Sequence, residues 1–126
     1  LGYRPDRLSF LKRFDLFVLP SYREGTPRCL MEALAAGAPC AGSAVSGIDS
    51  LIHDGVTGDT FPAGDVGRLA DVIRKVRADR GEAKRRAAAG RALVYEVYSA
   101  KAMAGAYERL YEDLARRRQR ASLESR

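Results

Sequence analysis

The sequence predicts an α/β domain in which a parallel sheet is closed by C-terminal helices, and two observations predict it. Short apolar runs alternate with helical patterns in the first half of the 126 residues, whereas helical patterns alone fill the second half. The continuous apolar run at residues 16–19, Leu-Phe-Val-Leu, is typical of a strand covered on both faces in a parallel sheet. The length and the 46% hydrophobic content fit one globular domain.

The first half alternates helices with strands. Thr26 is the expected N-cap of its central helix, with Pro27 at the first helical position. Gly37, followed by Pro39, is typical of the point where such a helix ends. The predicted elements are, in order, a helix at 5–14, a strand at 16–19, the helix from 26 to 37, a strand at 39–43, a brief helix ending near His53 and a strand at 56–61.

The second half is helical. Its first helix carries apolar residues at the spacing of one helical face: Leu69, Val72, Ile73 and Val76. A further helix is expected at about residues 82–98. The last helix begins after Ser99 and carries a second apolar stripe: Met103, Tyr107, Leu110, Tyr111 and Leu114. We assign residues 1–114 to one domain and residues 115–126 to a basic, disordered tail.

The net charge of +6 is unevenly distributed along the chain. Residues 1–67 are slightly acidic, and the excess of Lys and Arg lies in residues 68–91 and in the tail. A charge run on a helix is most often a solvated face, which is the interpretation we prefer here. The charge is the one feature of the sequence that supports nucleic-acid binding, and no motif accompanies it. We therefore expect no nucleic-acid partner. The basic helices are also a candidate contact for an anionic membrane surface.

Metal chemistry and membrane spanning find no support in the sequence. Cys29 and Cys40 lie in apolar stretches without metal-binding spacing, and we expect both to be buried, reduced thiols. His53 has no nucleophile beside it and is expected to be structural. No apolar run approaches ~18 residues, and no G-x-G-x-x-G follows a strand. We expect a cytoplasmic protein, or one at the cytoplasmic face of a membrane. Because it begins with Leu1, we expect it to be part of a longer protein.

Two glutamates, Glu24 and Glu32, stand eight positions apart across the junction between the loop after the first strand and the following helix. In open parallel sheets, ligands bind beyond the carboxyl ends of the strands. A helix N-terminus at that edge can receive a phosphate. Pro27 has no N–H, so the backbone donors available there are those of Thr26, Arg28 and Cys29.

This arrangement suits a nucleotide sugar, because carboxylates are good acceptors for sugar hydroxyls although poor ligands for phosphate. The diphosphate would lie on the helix terminus between the two carboxylates. For Glu24, a solvated loop position remains the alternative. Glu32 is the one polar side chain in residues 29–38, so we expect it to be largely buried and bonded either to a protein group or to a ligand.

Five stretches of the sequence resemble the family-4 (group 1) retaining glycosyltransferases of the GT-B fold. They are Asp15-Leu-Phe-Val-Leu-Pro-Ser21, Arg23-Glu-Gly-Thr-Pro-Arg28, Leu30-Met-Glu-Ala-Leu-Ala-Ala-Gly37, Asp54-Gly-Val-Thr-Gly58 and Tyr107-Glu-Arg-Leu-Tyr111. Residues 1–114 are similar to the latter part of the Rossmann-like, donor-binding C-terminal domain of that family. The resemblance implies sugar transfer from a nucleotide-diphosphate sugar to a hydroxyl acceptor, in polysaccharide or glycolipid synthesis, without a metal or another cofactor.

The resemblance also implies roles for individual residues. Glu24, Gly25 and Thr26 would contact the transferred sugar, Arg28 and Cys29 the diphosphate, and Glu32 the ribose. No protein nucleophile is implied, since the leaving diphosphate would assist the incoming hydroxyl. Catalysis would then consist mostly of positioning and of charge stabilisation.

The sequence departs from the family pattern in two ways. After the second strand, at residues 46–50, it reads Ser-Gly-Ile-Asp-Ser, so Ser50 stands where the family usually has an acid and Asp49 is no assured replacement. The family's Arg and Lys that neutralise the diphosphate, and its acceptor-binding N-terminal domain, lie upstream of the segment that matches Leu1. We therefore expect the isolated chain to be inactive. The alternative is a non-catalytic module that binds nucleotide sugars or docks a partner through its basic helices.

Overall fold

The computed structural model describes residues 5–124, except the side chains of residue 119 and residues 121–124. The first four residues of the predicted domain and the last two of the predicted tail lie outside this range. The elements are α1 Arg7–Leu11, β1 Phe17–Leu19, α2 Arg28–Ala36, β2 Cys40–Ser43, β3 Asp59–Phe61, α3 Val66–Ala78, α4 Arg80–Val97 and α5 Ala100–Glu124.

The three strands form a parallel sheet in the order β1-β2-β3, which confirms the predicted fold class. Val18 pairs with Ala41, and Gly42 pairs with Thr60. All four residues of β2 are buried, as the central strand of a covered sheet requires. Because the strands are parallel, their carboxyl ends share one edge, and the three following loops begin there.

Helix α2 begins one residue later than its sequence predicts. Pro27, in extended conformation, is the N-cap, and its carbonyl oxygen accepts hydrogen bonds from the N–H groups of Leu30 and Met31. No side chain caps this end, so the N-cap role predicted for Thr26 is wrong. The predicted end is confirmed: Gly37 adopts φ +79°, a left-handed conformation that suits glycine.

The segment between β2 and β3 is made of turns, and the brief helix predicted before His53 is wrong. The side chain of Thr57 explains this conformation, because its hydroxyl accepts from the N–H of His53 at 2.8 Å and donates to the carbonyl of Leu51 at 3.1 Å. These side-chain bonds replace those of a continuing helix. The third strand is correspondingly shorter than residues 56–61 and begins at Asp59.

The helices of the second half appear as predicted, with shifted bounds. The carboxylate of Asp65 caps α3 by accepting from the N–H of Arg68 at 2.9 Å. Helix α4 packs closely under α2, since a Cβ built at Gly90 would lie 2.6 Å from Cδ2 of Leu34 and 2.8 Å from the carbonyl oxygen of Thr57. The first compact unit of the chain ends at Tyr95.

The residues from Glu96 onward form a second compact unit, which consists mainly of α5. All five side chains of the predicted apolar stripe on α5 are at least half exposed. Helix α5 continues to Glu124, so the structure has helix where the sequence predicts a disordered tail. Ion pairs such as that of Arg117 with Asp113, at 2.8 Å, support this helix. No helix within residues 5–124 has the length and apolar character needed to cross a membrane.

Candidate functional site

The loops after β1 and β2 meet through their backbones at the carboxyl edge of the sheet. Gly47 adopts φ +89°, and a Cβ built on it would lie 1.6 Å from the carbonyl oxygen of Gly25 and 2.8 Å from that of Glu24. Only glycine leaves room for this approach. The path of the loop that carries Glu24 and Gly25 is therefore set by the neighbouring loop.

The loop after β3 reaches the same region through Tyr22. A Cβ built at Gly64, which has φ +81°, would lie 3.0 Å from the hydroxyl oxygen of Tyr22. Tyr22 lies three residues after the end of β1 and is 73% exposed. All three loops at the carboxyl edge are thus in contact, as expected for a ligand site of a parallel sheet.

Two serines fix the conformation of the β1 loop. The fully buried Ser43, at the end of β2, donates its hydroxyl to the carbonyl oxygens of Ser21 and Leu19. The hydroxyl of Ser21 in turn donates to Oε1 of Glu24 at 2.6 Å. The half-buried carboxylate of Glu24 is therefore held by its own loop, with acceptor capacity left for a ligand hydroxyl.

The N-terminus of α2 presents unbonded backbone donors beside this loop. Within residues 5–124, the N–H groups of Arg28 and Cys29 make no hydrogen bond. Both side chains are exposed, so the burial predicted for Cys29 is wrong, because this helix buries a different face. Cys40 is buried as predicted, and burial raises the pKa of its thiol to about 12. The helix terminus can receive an anion.

Glu32 lies in the second turn of α2 and is bonded to a protein group. Nε of Arg7 donates to its Oε2 at 2.8 Å, and Nη2 of Arg7 donates to its Oε1 at 2.9 Å. These hydrogen bonds hold the pKa of the Glu32 carboxyl below its ordinary value, and the more distant Arg28 contributes in the same direction. The Glu32 side chain is 25% exposed, so most of it is covered, as the apolar sequence of this helix predicts. The buried face of α2 is formed by Leu30, Ala33 and Leu34.

Asp49 and Ser50 lie in the segment where the family usually has an acid. Both form hydrogen bonds within their own loop. Oδ1 of Asp49 accepts from the N–H of Gly47 at 3.1 Å, and the hydroxyl of Ser50 donates to the Gly47 carbonyl at 3.0 Å. Both side chains are exposed and stabilise the turn around Gly47. Asp49 therefore supports the loop contact with Gly25.

Four residues of this region escaped the sequence reasoning: Arg7, Tyr22, Ser43 and Gly47. Gly47 alone had a sequence signal, since a glycine after a strand marks a turn or a close backbone approach. A cavity of about 360 Å³ lies at the opposite edge of the sheet, before β1 and β2, where Leu16 and Pro39 contribute to its wall. None of the predicted site residues lines it. Residues 5–124 contain no cluster of His, Cys, Asp or Glu that could hold a metal ion.

Comparison with known protein families shows which family the chain belongs to. The sequence profile of the family described as glycosyl transferases group 1 matches residues 1–93. The chain belongs to this family. N-acetyl-alpha-D-glucosaminyl L-malate synthase of Bacillus anthracis is 32% identical to it over 116 residues, which cover 92% of this chain and 30% of the synthase.

Solved structures of GT-B glycosyltransferases share the fold of this group 1 glycosyltransferase chain. Sucrose-phosphate synthase from Thermosynechococcus elongatus has a TM-score of 0.77 and 30% identity, covering 83% of this chain and 26% of its own. The Anabaena protein HepE, solved in complex with UDP, has a TM-score of 0.80 and 23% identity, covering 91% and 31%. The chain thus spans between 26% and 31% of the length of these three proteins.

Proposed function

We propose that the chain forms the donor-binding part of a retaining glycosyltransferase of family 4, within its C-terminal domain. The observation that carries the proposal is the N-terminus of α2, where the N–H groups of Arg28 and Cys29 are open to an anion. A carboxylate precedes this terminus at Glu24, and another follows one turn into the helix at Glu32. Such a terminus binds a diphosphate, while carboxylates accept hydrogen bonds from sugar hydroxyls.

The ligand in this proposal is a nucleotide-diphosphate sugar. HepE was solved with UDP and also with UDP-glucose, which supports this class of ligand. Glu24, with Gly25 and Thr26, contacts the transferred sugar, and Glu32 accepts from the ribose hydroxyls. The donors of Arg28 and Cys29 stabilise the charge that develops on the leaving diphosphate. The acceptor is a hydroxyl of a growing polysaccharide or glycolipid, and no protein nucleophile takes part.

Calorimetric titration with UDP and UDP-glucose tests these roles. Glu32→Gln should weaken the binding of both ligands about tenfold, because it removes a charged acceptor for the ribose. Glu24→Gln should weaken UDP-glucose only, since UDP lacks the sugar. Glu82→Gln is the matched control: Glu82 is 29% exposed and is held by Arg85 in a similar fork of two hydrogen bonds, but on α4. Unchanged binding in both site variants would refute the proposed roles.

We further expect the 126 residues alone to bind the donor without transferring its sugar, because the cationic pair and the acceptor domain implied by the resemblance lie outside them. Labelled UDP-glucose, incubated with the chain and with oligosaccharide or glycolipid acceptors, measures this directly. Transfer of the label by the isolated chain would contradict the expectation. Donor binding without transfer, even when the chain is joined to an acceptor-binding domain of the family, would favour a non-catalytic binding module instead.

A further inference from the structure

The contact between Arg7 and Glu32 links two elements that are 25 residues apart, α1 and α2. Both oxygens of the carboxylate accept from one guanidinium, at 2.8 and 2.9 Å. We propose that Arg7 is a positioning residue for ribose recognition: it fixes the carboxylate of Glu32 in the orientation that accepts the ribose hydroxyls. The inference rests on the ribose-binding role proposed for Glu32.

The geometry of the pair supports positioning. A planar guanidinium that bonds both carboxylate oxygens fixes the plane of the carboxylate, which a point charge such as an ammonium cannot do. Each carboxylate oxygen has two acceptor sites, so two bonds to Arg7 leave further sites for ligand hydroxyls. The hydrogen bonds from Arg7 also keep the pKa of Glu32 below its ordinary value, which extends the acceptor-only form to lower pH.

The exposure of the pair makes a purely structural role a poor explanation. The Glu32 side chain is 25% exposed and the Arg7 side chain is 47% exposed. Ion pairs at this level of exposure contribute little to folding stability because water screens them. The same exposure leaves the Glu32 carboxylate reachable by a ligand.

The position of Arg28 gives a second argument that Arg7 acts as a positioning residue. Arg28 precedes Glu32 by four residues and therefore lies on the same helical face. It lowers the pKa of Glu32 only through space and makes no ion pair with it in the described part of the chain. In the absence of Arg7, Arg28 is the other arginine whose charge acts on the carboxylate, and it could bond it in place of Arg7. Such a bond would draw its side chain along the helix and away from the α2 N-terminus.

The test measures the preference for ribose over deoxyribose. UDP and 2′-deoxy-UDP are titrated against the unaltered protein, Arg7→Ala, Arg7→Lys and the matched control Arg85→Ala, which removes a similar fork on α4. ADP, GDP and their 2′-deoxy forms are used in the same way if they bind more tightly. We expect Arg7→Ala to reduce the ribose preference about fivefold by weakening UDP binding, with 2′-deoxy-UDP nearly unaffected. Arg85→Ala should leave both affinities unchanged.

The pH dependence separates positioning from a general effect on folding. In Arg7→Ala the pKa of Glu32 returns toward its ordinary value, so UDP affinity should begin to fall at a higher pH on acidification than in the unaltered protein. Arg7→Lys keeps the positive charge but loses the fork of hydrogen bonds, so it should shift the pH profile less than Arg7→Ala does while losing part of the ribose preference. This variant also serves if Arg7→Ala does not fold.

Two results would overturn the inference while leaving the proposed function intact. One is an unchanged ribose preference in folded Arg7 variants. The other is tighter UDP binding in Arg7→Ala, which would show that Arg7 competes with the ribose for Glu32. If the unaltered protein binds none of the nucleotides, or if Glu32→Gln binds UDP normally, the proposed function fails and the role of Arg7 fails with it.

Discussion

Among the carboxylates of this protein that pair with arginine, one lies at the edge of the candidate site and another lies inside the fold. Glu32 and Arg7 are 25% and 47% exposed, whereas Asp59 of β3 and Arg86 of α4 are both only 5% exposed. Asp59 also accepts from Nζ of Lys75, on α3, at 2.7 Å. The same chemical pairing therefore ties three elements together in one region and remains open to solvent in the other.

The difference shows that burial, more than the identity of the partners, decides what such a pair does. Removing one partner of a buried pair leaves an uncompensated charge, while breaking an exposed pair costs little. Nε of Arg86 is buried and has no hydrogen-bond partner in residues 5–124, so the inner pair already bears a desolvation cost. Altering the outer pair should cost the fold less, which suits a group that meets a ligand.

The largest expected effect concerns stability. Arg86→Leu should lower the free energy of unfolding by about 3 kcal/mol, because Asp59 then keeps only Lys75 as its partner. Arg7→Leu should lower it by less than about 1 kcal/mol. Urea denaturation followed by circular dichroism measures both. Replacing Asp59 and Arg86 together by Leu should recover part of the loss; equal losses for Arg86→Leu and Arg7→Leu would refute the comparison.

A substitution at a glycine tests whether close contact between two loops, and not a buried ion pair, stabilises the region of the candidate site. Gly47→Ala should destabilise the protein by about 2 kcal/mol and abolish tight donor binding, because its Cβ would overlap the Gly25 carbonyl at a left-handed φ. Gly81→Ala, on α4 and outside the candidate site, is the control, since the nearest atom to a Cβ built there is Oδ1 of Asp79 at an ordinary 3.4 Å. Denaturation and UDP-glucose titration should separate the two variants; similar behaviour would contradict the loop contact.

A smaller effect is expected for Glu32, whose contribution to the free energy of unfolding should depend on pH. Its folded pKa is lowered by Arg7, so its contribution to stability is present above the unfolded pKa, near 4.5, and is lost as the pH falls through the folded value. Glu32→Gln should thus be less stable than the unaltered protein by under about 1 kcal/mol at pH 7. The gap should close toward pH 3. A gap that widens on acidification would reverse the assigned sign.

The smallest effect concerns the two thiols and leaves stability unchanged. Iodoacetamide at pH 8 should label the exposed Cys29 and spare Cys40, whose pKa is raised to about 12 by burial. Saturating UDP should slow labelling of Cys29, which lies at the proposed diphosphate site. Mass spectrometry of the peptides reads both results. Labelling of Cys40 in the folded protein, or no protection of Cys29 by bound UDP, would contradict them.

Local signals in the sequence predicted much of the fold. The apolar run of β1 and the glycine that ends α2 act within a few residues, and both elements appear where they are predicted. The prediction that β1 is covered on both faces is wrong, because β1 lies at the edge of the described sheet and its three residues are only half-buried. The helix predicted before His53 failed because the Thr57 side chain takes over its backbone groups. Such competition between side-chain and backbone bonds depends on the three-dimensional path of the turn.

The candidate site was predicted only in part, because some of its residues follow from local signals and others from contacts between distant parts of the sequence. Glu24 and the donors of Arg28 and Cys29 follow from the strand-to-helix junction, which is local. Arg7 has no such signal, because nothing near it in the sequence indicates a partner 25 residues away. The face of α2 that points inward depends on the elements packed against it, so the exposure of Cys29 could not be read from an apolar sequence alone.

The buried hydroxyl of Ser43 links the pairing of β1 with β2 to the conformation of the loop that follows β1. It extends from the last residue of β2 to the carbonyls of Leu19 and Ser21, at the point where β1 becomes the loop that leads to Glu24. Those bonds form only when the two strands are paired in their native register, with Leu19 opposite Gly42. A sheet in which β1 and β2 are unpaired or out of register would therefore leave this loop without the bonds that hold its conformation.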